Sequence, residues 1–309
     1  MSAMIETLEQ LPAARLLEAF LAGRSPATLR TYSQGLEDFR LWLRVATVAD
    51  AARDLLTKGG GEANRLALAY RADMLERKLA PATINLRLAA LRSLAKLAAT
   101  FGLVAWRVEI GNVRSEAYRD TRGPGAEAFR AIVARLVDRG DRKAKRDLAL
   151  VRLLHDVALR RAEVAGLDVA DFDPAAGCLL VTRKGRRERT RINLPPATLA
   201  AVRDWLTARG GEAGPLFTNL DPAGRSGRLT GTSIYRTVRE LGAAIGSATR
   251  PHGLRHTGIT TACEKAAAAG IPLESVLDYS GHANVRTLMV YRDKARDMQG
   301  RLAALVAGE

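Results

Sequence analysis

Along the first third of the chain, apolar residues recur at steps of three and four. Leu29, Tyr32, Leu36, Phe39 and Leu43 follow the pair Ser25-Pro26, and Ile84, Leu88, Leu91, Leu94 and Leu97 follow Pro81. That spacing gathers each set on one face of a helix. Proline suits a first helical position, with serine as the cap before it. The same period predicts two more helices, at 48–56 and 63–79. Residues 1–107 therefore read as a bundle of four or five helices without strands. The pattern breaks at 108–125, a polar, charged stretch that closes on Gly-Pro-Gly and reads as an interdomain linker. The region 126–309 is expected to be a second domain, mostly helical. Helices are predicted there at 196–209, 233–245, 251–264, 272–279 and 286–291, with a last one from about 293. Residues 178–182 and 189–194 read as two strands joined by a turn at 183–188, where Gly185 can take positive φ. The expected fold class is mainly α with a small β-sheet (α+β), a helical N-terminal domain followed by a mixed α/β domain.

Composition narrows the partners. Hydrophobic residues make up 47% of the 309, enough for two cores, and aromatics at 5% leave Leu, Ala and Val to fill them. Lys and Arg number 48 against 33 Asp and Glu, a formal charge of +15, which points to nucleic acid or an anionic membrane. No run approaches the ~20 apolar residues of a spanning helix. The N-terminus, with Glu6, Glu9 and Arg15, lacks the basic-then-apolar order of a signal peptide. Cys178 and Cys263 lie far apart without metal-ligand spacing, and they suit buried positions in a reducing cytoplasm. No membrane association, metal or cofactor is expected.

Four short segments of the second domain concentrate chemistry-bearing residues. In Asp156-Val-Ala-Leu-Arg160-Arg161-Ala-Glu163, Arg160 and Glu163 are three apart and share a face if the segment is one helical turn. In 183–191 six basic residues stand against the single acid Glu188, a hairpin tip that repels itself unless an anion neutralises it. In Pro251-His252-Gly-Leu-Arg255-His256-Thr257, His252 and Arg255 fall near a helix N-terminus, a ready phosphate site. In 280–292, Gly281 can end one helix, His282 follows it, and Tyr291 closes a Leu-Met-Val run. Taken singly, each has a bland reading: a surface ion pair, a solvated turn, a structural histidine, a core tyrosine.

Their order is what separates them from chance. R-x-x-E, then K-G in a basic hairpin, then H-x-x-R-H, then G-H, then a tyrosine nine residues on resembles the tyrosine recombinase (phage integrase) family. The resemblance runs from about Ser25 to the last helix. SPATLRTY and LAPATINLRLAALRSLAKLAATFGL are similar to that family's helical core-binding domain. It implies that Tyr291 is the nucleophile and that Arg160 and Arg255 clamp the scissile phosphate. It further implies that His282 donates a hydrogen bond to that phosphate, that His252 accepts or orients a proton, and that Lys184 is the general acid. Glu163 would position Arg160. Arg87, Arg92, Arg183, Arg186 and Arg187 are candidate DNA contacts, the first two on a helix that could enter the major groove.

The implied activity is site-specific cleavage and rejoining of DNA through a 3′-phosphotyrosine and a Holliday junction, without metal or ATP. The implied partners are double-stranded DNA with inverted-repeat core sites and three further copies of the chain, a homo-tetramer on DNA that is monomeric or dimeric when free. A bacterial cytoplasm or nucleoid is the expected location. With about 24 residues before Ser25, a simple type without a separate arm-binding domain is expected. The last helix, with Met298, Leu302, Ala303 and Val306 in a stripe, packs either on its own domain or on a neighbouring protomer. Type IB topoisomerases, telomere resolvases and a non-catalytic DNA-binding regulator of the same fold are the alternatives. Two positions depart from the family pattern: Ala158 stands where glycine is usual, and Gly258 where a bulkier residue is.

Overall fold

The computed structural model describes residues 13–22, 26–114, 123–183, 188–220, 227–282 and 306–308. Ser25, Lys184, Arg186, Arg187 and Tyr291, and the helices expected at 286–291 and from 293, lie outside the described residues, apart from a short helical piece at 306–308. The chain divides into two compact units between Arg119 and Asp120, inside the stretch read as a linker.

Among its described residues the first unit has helices and no strand: α1 (Ala13–Leu21), α2 (Pro26–Leu43), α3 (Val48–Thr57), α4 (Gly59–Glu76) and α5 (Pro81–Thr100). Thr47 caps α3 and Asp50 reaches back to its N–H, a closed capping box. α5 is the central helix, burying Ile84, Leu88, Leu91, Leu94 and Ala98 in a core shared with Phe20, Phe39, Leu55 and Tyr70. α4 starts at Gly59, ahead of the expected 63, and ends at Glu76, before 79. Gly60 is drawn into the helix because Trp106 packs on it, where a β-carbon would lie 2.8 Å from the indole. Lys78, at φ +55, turns the chain out of the helix beyond its end.

The first part of the expected linker belongs to this unit. Val108 is buried. Asn64 accepts from the Glu109 N–H, and Asn85 bonds both N–H and C=O of Val113.

The second unit contains α6 (Gly125–Arg139), α7 (Arg142–His155), α8 (Arg161–Gly166), α9 (Pro196–Arg209), α10 (Gly231–Ala243), α11 (Pro251–Ala268) and α12 (Leu273–Ser280) and a small antiparallel sheet. Its strands run in the order β1 (Phe172–Asp173), β2 (Cys178–Thr182), β3 (Arg189–Asn193). The β2–β3 hairpin pairs Cys178 with Asn193 and Thr182 with Arg189. β1 has two residues, too few for an alternation to mark it in the sequence. Cys178 and Cys263 are both buried, and neither is in a disulfide. Trp205, Leu150, Leu154, Leu179 and Ile234 anchor the core. Among the described residues no helix is long and apolar enough to cross a membrane.

Candidate active site

Arg160 is not inside a helix as the R-x-x-E spacing suggested. It is the extended N-cap of α8 (φ −75, ψ 150). The third residue of that helix, Glu163, is buried and reaches back to it twice. One carboxylate oxygen accepts the Arg160 backbone N–H at 2.8 Å, and the other accepts Nη1 at 2.9 Å. A buried carboxylate thus fixes both ends of the arginine and leaves the far edge of its guanidinium directed elsewhere. Nη2 donates to the carbonyl of Gly281 at 2.9 Å.

The backbone before Arg160 is specialised. Ala158 sits at φ +50, the left-handed region that glycine enters at least cost and that costs an alanine about 1–2 kcal/mol. Its methyl is fully buried among Ile259, Cys263, Ala266 and Val276, which recovers part of that cost. The other departure has a steric reason: a β-carbon on Gly258 would lie 2.1 Å from the His155 carbonyl oxygen. Only glycine lets α11 come this close to the end of α7.

α11 begins with Pro251 at its first position and carries His252 and Arg255 in its opening turns. His252 keeps an exposed side chain. Partial burial of the ring, with Arg255 and Arg160 nearby, depresses its pKa below the usual histidine value. Arg255 is only 2% exposed. Its Nη2 donates to the Ser280 carbonyl at 2.6 Å and lies 3.3 Å from Nε2 of His282.

His282 follows Gly281, which ends α12 in the left-handed conformation (φ 60, ψ 36). Burial, then Arg255, Arg160, His252 and Arg183 push the His282 pKa down to about 4. Its imidazole is therefore neutral at pH 7. Because an arginine only donates, Nε2 facing Arg255 acts as the acceptor and the proton sits on Nδ1.

Arg160, Glu163, His252, Arg255 and His282, drawn from three segments spread over 160–282, thus meet at one place. Arg183 meets them too, although the sequence suggested an outward DNA contact. It is buried, and its Nη2 lies 3.3 Å from the Tyr279 carbonyl oxygen. Two residues that the sequence reading gave no role support the site from below. Tyr279 donates its hydroxyl to the carbonyls of His155 and Asp156. Asp156 accepts from Arg152, His155 and Thr198; burial opposes its ionisation, but these bonds prevail and hold its pKa low. Asp156 stood inside the quoted R-x-x-E segment, but nothing in its spacing marked it.

In the first unit, Arg87 pairs with Asp38 at 2.8 Å, and Arg92 bonds the Ile110 carbonyl and the Asn112 side chain at 2.7 Å each. Both guanidiniums are engaged inside the unit.

The model of the phage integrase family matches residues 129–298. A tyrosine recombinase of Synechocystis sp. is 38% identical over 290 residues, covering 92% of this chain and 91% of that protein. This chain belongs to the phage integrase (tyrosine recombinase) family. A second relative, a tyrosine recombinase of Synechococcus elongatus, is 35% identical, covering 90% of this chain and 88% of its own. Among solved structures, a lambda integrase dimer bound to a core site superposes with a TM-score of 0.66 at 14% identity, over 92% of this chain and 96% of that one. The XerH recombinase bound to its difH substrate gives 0.65 at 18% identity, over 90% and 80%. These structures share the fold. The recombinase is accordingly a DNA strand-transferring enzyme that acts site-specifically, and the cationic cluster at the α12 turn is its candidate active site.

Proposed function

We propose that this recombinase cleaves DNA by attack of Tyr291 on a phosphodiester, leaving a 3′-phosphotyrosine, and rejoins the strand to a different 5′-hydroxyl by way of a Holliday junction. The observation that carries the reading is the convergence of Arg160, Arg255, His252 and His282 around the Gly281 turn. Negative charge grows on the phosphorane's equatorial oxygens as the phenol oxygen attacks. Guanidiniums meet that charge with directed hydrogen bonds and stay protonated throughout. One preorganised donor of this kind contributes about 10²–10³ in rate. Arg160 and Arg255 clamp the phosphate, and His282, whose Nε2 accepts from Arg255 in the free protein, donates from that nitrogen once the bound phosphate draws a proton onto it. His252, neutral at pH 7 by its depressed pKa, is fit to accept the phenol proton. Lys184 protonates the leaving 5′ oxygen. The phosphotyrosine keeps the bond energy, so rejoining needs no ATP, and charge stabilisation by arginine requires no metal.

Exchange between two duplexes requires four such sites, hence a homo-tetramer on inverted-repeat core sites, in the cytoplasm. Arg186 and Arg187 are the proposed backbone contacts. Arg87 and Arg92 would join them through N–H groups beyond those already bonded within the first unit.

The test uses a nicked duplex carrying a half-site selected from a random DNA pool by binding to the protein. The short 5′ fragment is lost after cleavage, which traps the intermediate. Wild type is expected to form an adduct stable to denaturant, and Tyr291→Phe none. An adduct in the Phe variant removes Tyr291 from the role. Lys184→Ala is expected to cleave slowly, yet normally when the leaving group is a thiol that needs no proton.

A further inference from the structure

We propose that Arg183 is a positioning residue for strand cleavage: it holds the turn that carries His282, and with Arg160 and Arg255 fixes where the phosphate-binding groups point. This rests on the recombinase reading above and adds a residue to it.

Three successive carbonyls at the C-terminal end of α12 are each met by a different arginine. Arg183, from the end of β2, is 3.3 Å from the oxygen of Tyr279; Arg255, from α11, takes that of Ser280 at 2.6 Å; Arg160, from the cap of α8, takes that of Gly281 at 2.9 Å. The last carbonyls of a helix lack intrahelical donors and carry its partial negative charge, so cations are favoured there. Among the described residues, all three guanidiniums meet this one turn. A shift in any of them is passed to the other two.

Arg183 is fitted to this place and not to open solvent. It is 3% exposed, so the carbonyl end of α12 stands where water would otherwise meet its charge. Its side chain runs against Gly281 so closely that a β-carbon there would lie 1.7 Å from Nη1 and 2.6 Å from Cζ. Gly281 is thus required twice, by its left-handed backbone and by the arginine packed on it. To reach a phosphate on an approaching duplex, Arg183 has to leave these contacts. Its charge also faces His282, beside Arg255, Arg160 and His252, and contributes to that imidazole's neutrality.

The experiment separates positioning from DNA contact in the full chain. Arg183→Met and Arg183→Lys are compared with wild type on the selected, nicked half-site duplex. The readouts are affinity across a salt series, the single-turnover rate of adduct formation, and the titration of His282 in protein labelled at the histidine Cε1. With Arg183→Met the rate is expected to fall about 10²-fold, the cost of an ångström-scale misplacement, while affinity stays within about twofold and the salt slope holds. The His282 midpoint moves upward. Arg183→Lys, which keeps the charge and loses the planar fork, recovers part of the rate.

Gly281→Ala supplies a second, independent reading. Its defect is expected to be smaller in an Arg183→Ala background, where the space is free, than in wild type. A salt slope reduced by about one phosphate with the cleavage rate unchanged overturns the proposal, as do strictly additive Gly281 and Arg183 defects. Absence of an adduct from wild type itself defeats the recombinase chemistry instead, so the two failures are distinguishable.

Discussion

Around His282, burial and four neighbours, Arg255, Arg160, His252 and Arg183, all act against the imidazolium. The folded pKa near 4 lies below the ordinary 6.5, so the unfolded chain binds the proton first as pH falls. Stability contributed by this group is complete above about 6.5 and is lost as pH drops toward 4. His252 is shifted in the same direction and adds to the same window. A bound phosphate reverses the balance, because an anion between Arg255 and His282 favours the charged ring. The four histidines of the chain make this readable by ¹³C NMR. His282 is expected to titrate near pH 4 in the free protein and to shift upward when phosphate-bearing DNA is added. Its acid-side loss of thermal stability is expected to shrink in His282→Gln. A free-protein midpoint between 6 and 7 would contradict the environment described. Ala158 belongs to this scale as well. The residue looked like a harmless replacement in the sequence, and it is the backbone angle, invisible there, that gives it a cost.

Among the elements, α11 and α7 decide whether the site assembles. α7 leads through Ala158 to Arg160, and α11 opens with His252 and Arg255, so the distance between these helices sets the distance between the two arginines proposed to clamp the phosphate. Gly258 against the His155 carbonyl is the point of closest approach. In Gly258→Ala the added methyl must push the helices apart, and overpacking of this kind costs about 1–3 kcal/mol. For a unit of this size that is a fall of about 2–4 °C in Tm per kcal/mol. The adduct-formation rate is expected to drop by about 10² at a temperature where the variant is still folded. A variant that loses Tm and keeps its rate would mean that helix spacing does not govern the arginines. Much at this scale was legible. Prolines at the first positions of α2, α5, α9 and α11 and the apolar steps behind them announced those helices, and two strand-like runs on either side of a Gly185 turn announced the hairpin. α6 and α7 drew no separate assignment, since α7 buries an Arg146–Asp147 pair that reads as surface. The ordered boxes marked Arg160, His252, Arg255 and His282 because their spacing is chemical. Arg183 was grouped with the candidate DNA contacts because a run of basic residues does not say which of its members the fold turns inward.

For the whole molecule the surplus of +15 sets how it meets DNA, but not every arginine contributes. Arg77 and Arg87 are spent on Asp38, which also accepts the Tyr70 hydroxyl and so ties α2, α4 and α5 together. Arg92 is spent on pinning residues 110–112, toward the end of the first unit. These groups stabilise the bundle, and a phosphate must compete with a neighbouring carboxylate or carbonyl to recruit them. The arginines and lysines left without such partners are the ones that displace counterions. If they neutralise ~6–10 phosphates, affinity for the selected site falls about 10³–10⁵-fold between about 50 and 200 mM salt. Arg87→Ala is then expected to lower the melting temperature of the first unit while changing the log K against log salt slope by less than one phosphate. The salt series, run by fluorescence anisotropy beside calorimetry, decides between two uses of the same side chain. A slope reduced by a full phosphate at constant Tm would make Arg87 a DNA contact that merely rests on Asp38 when no duplex is present.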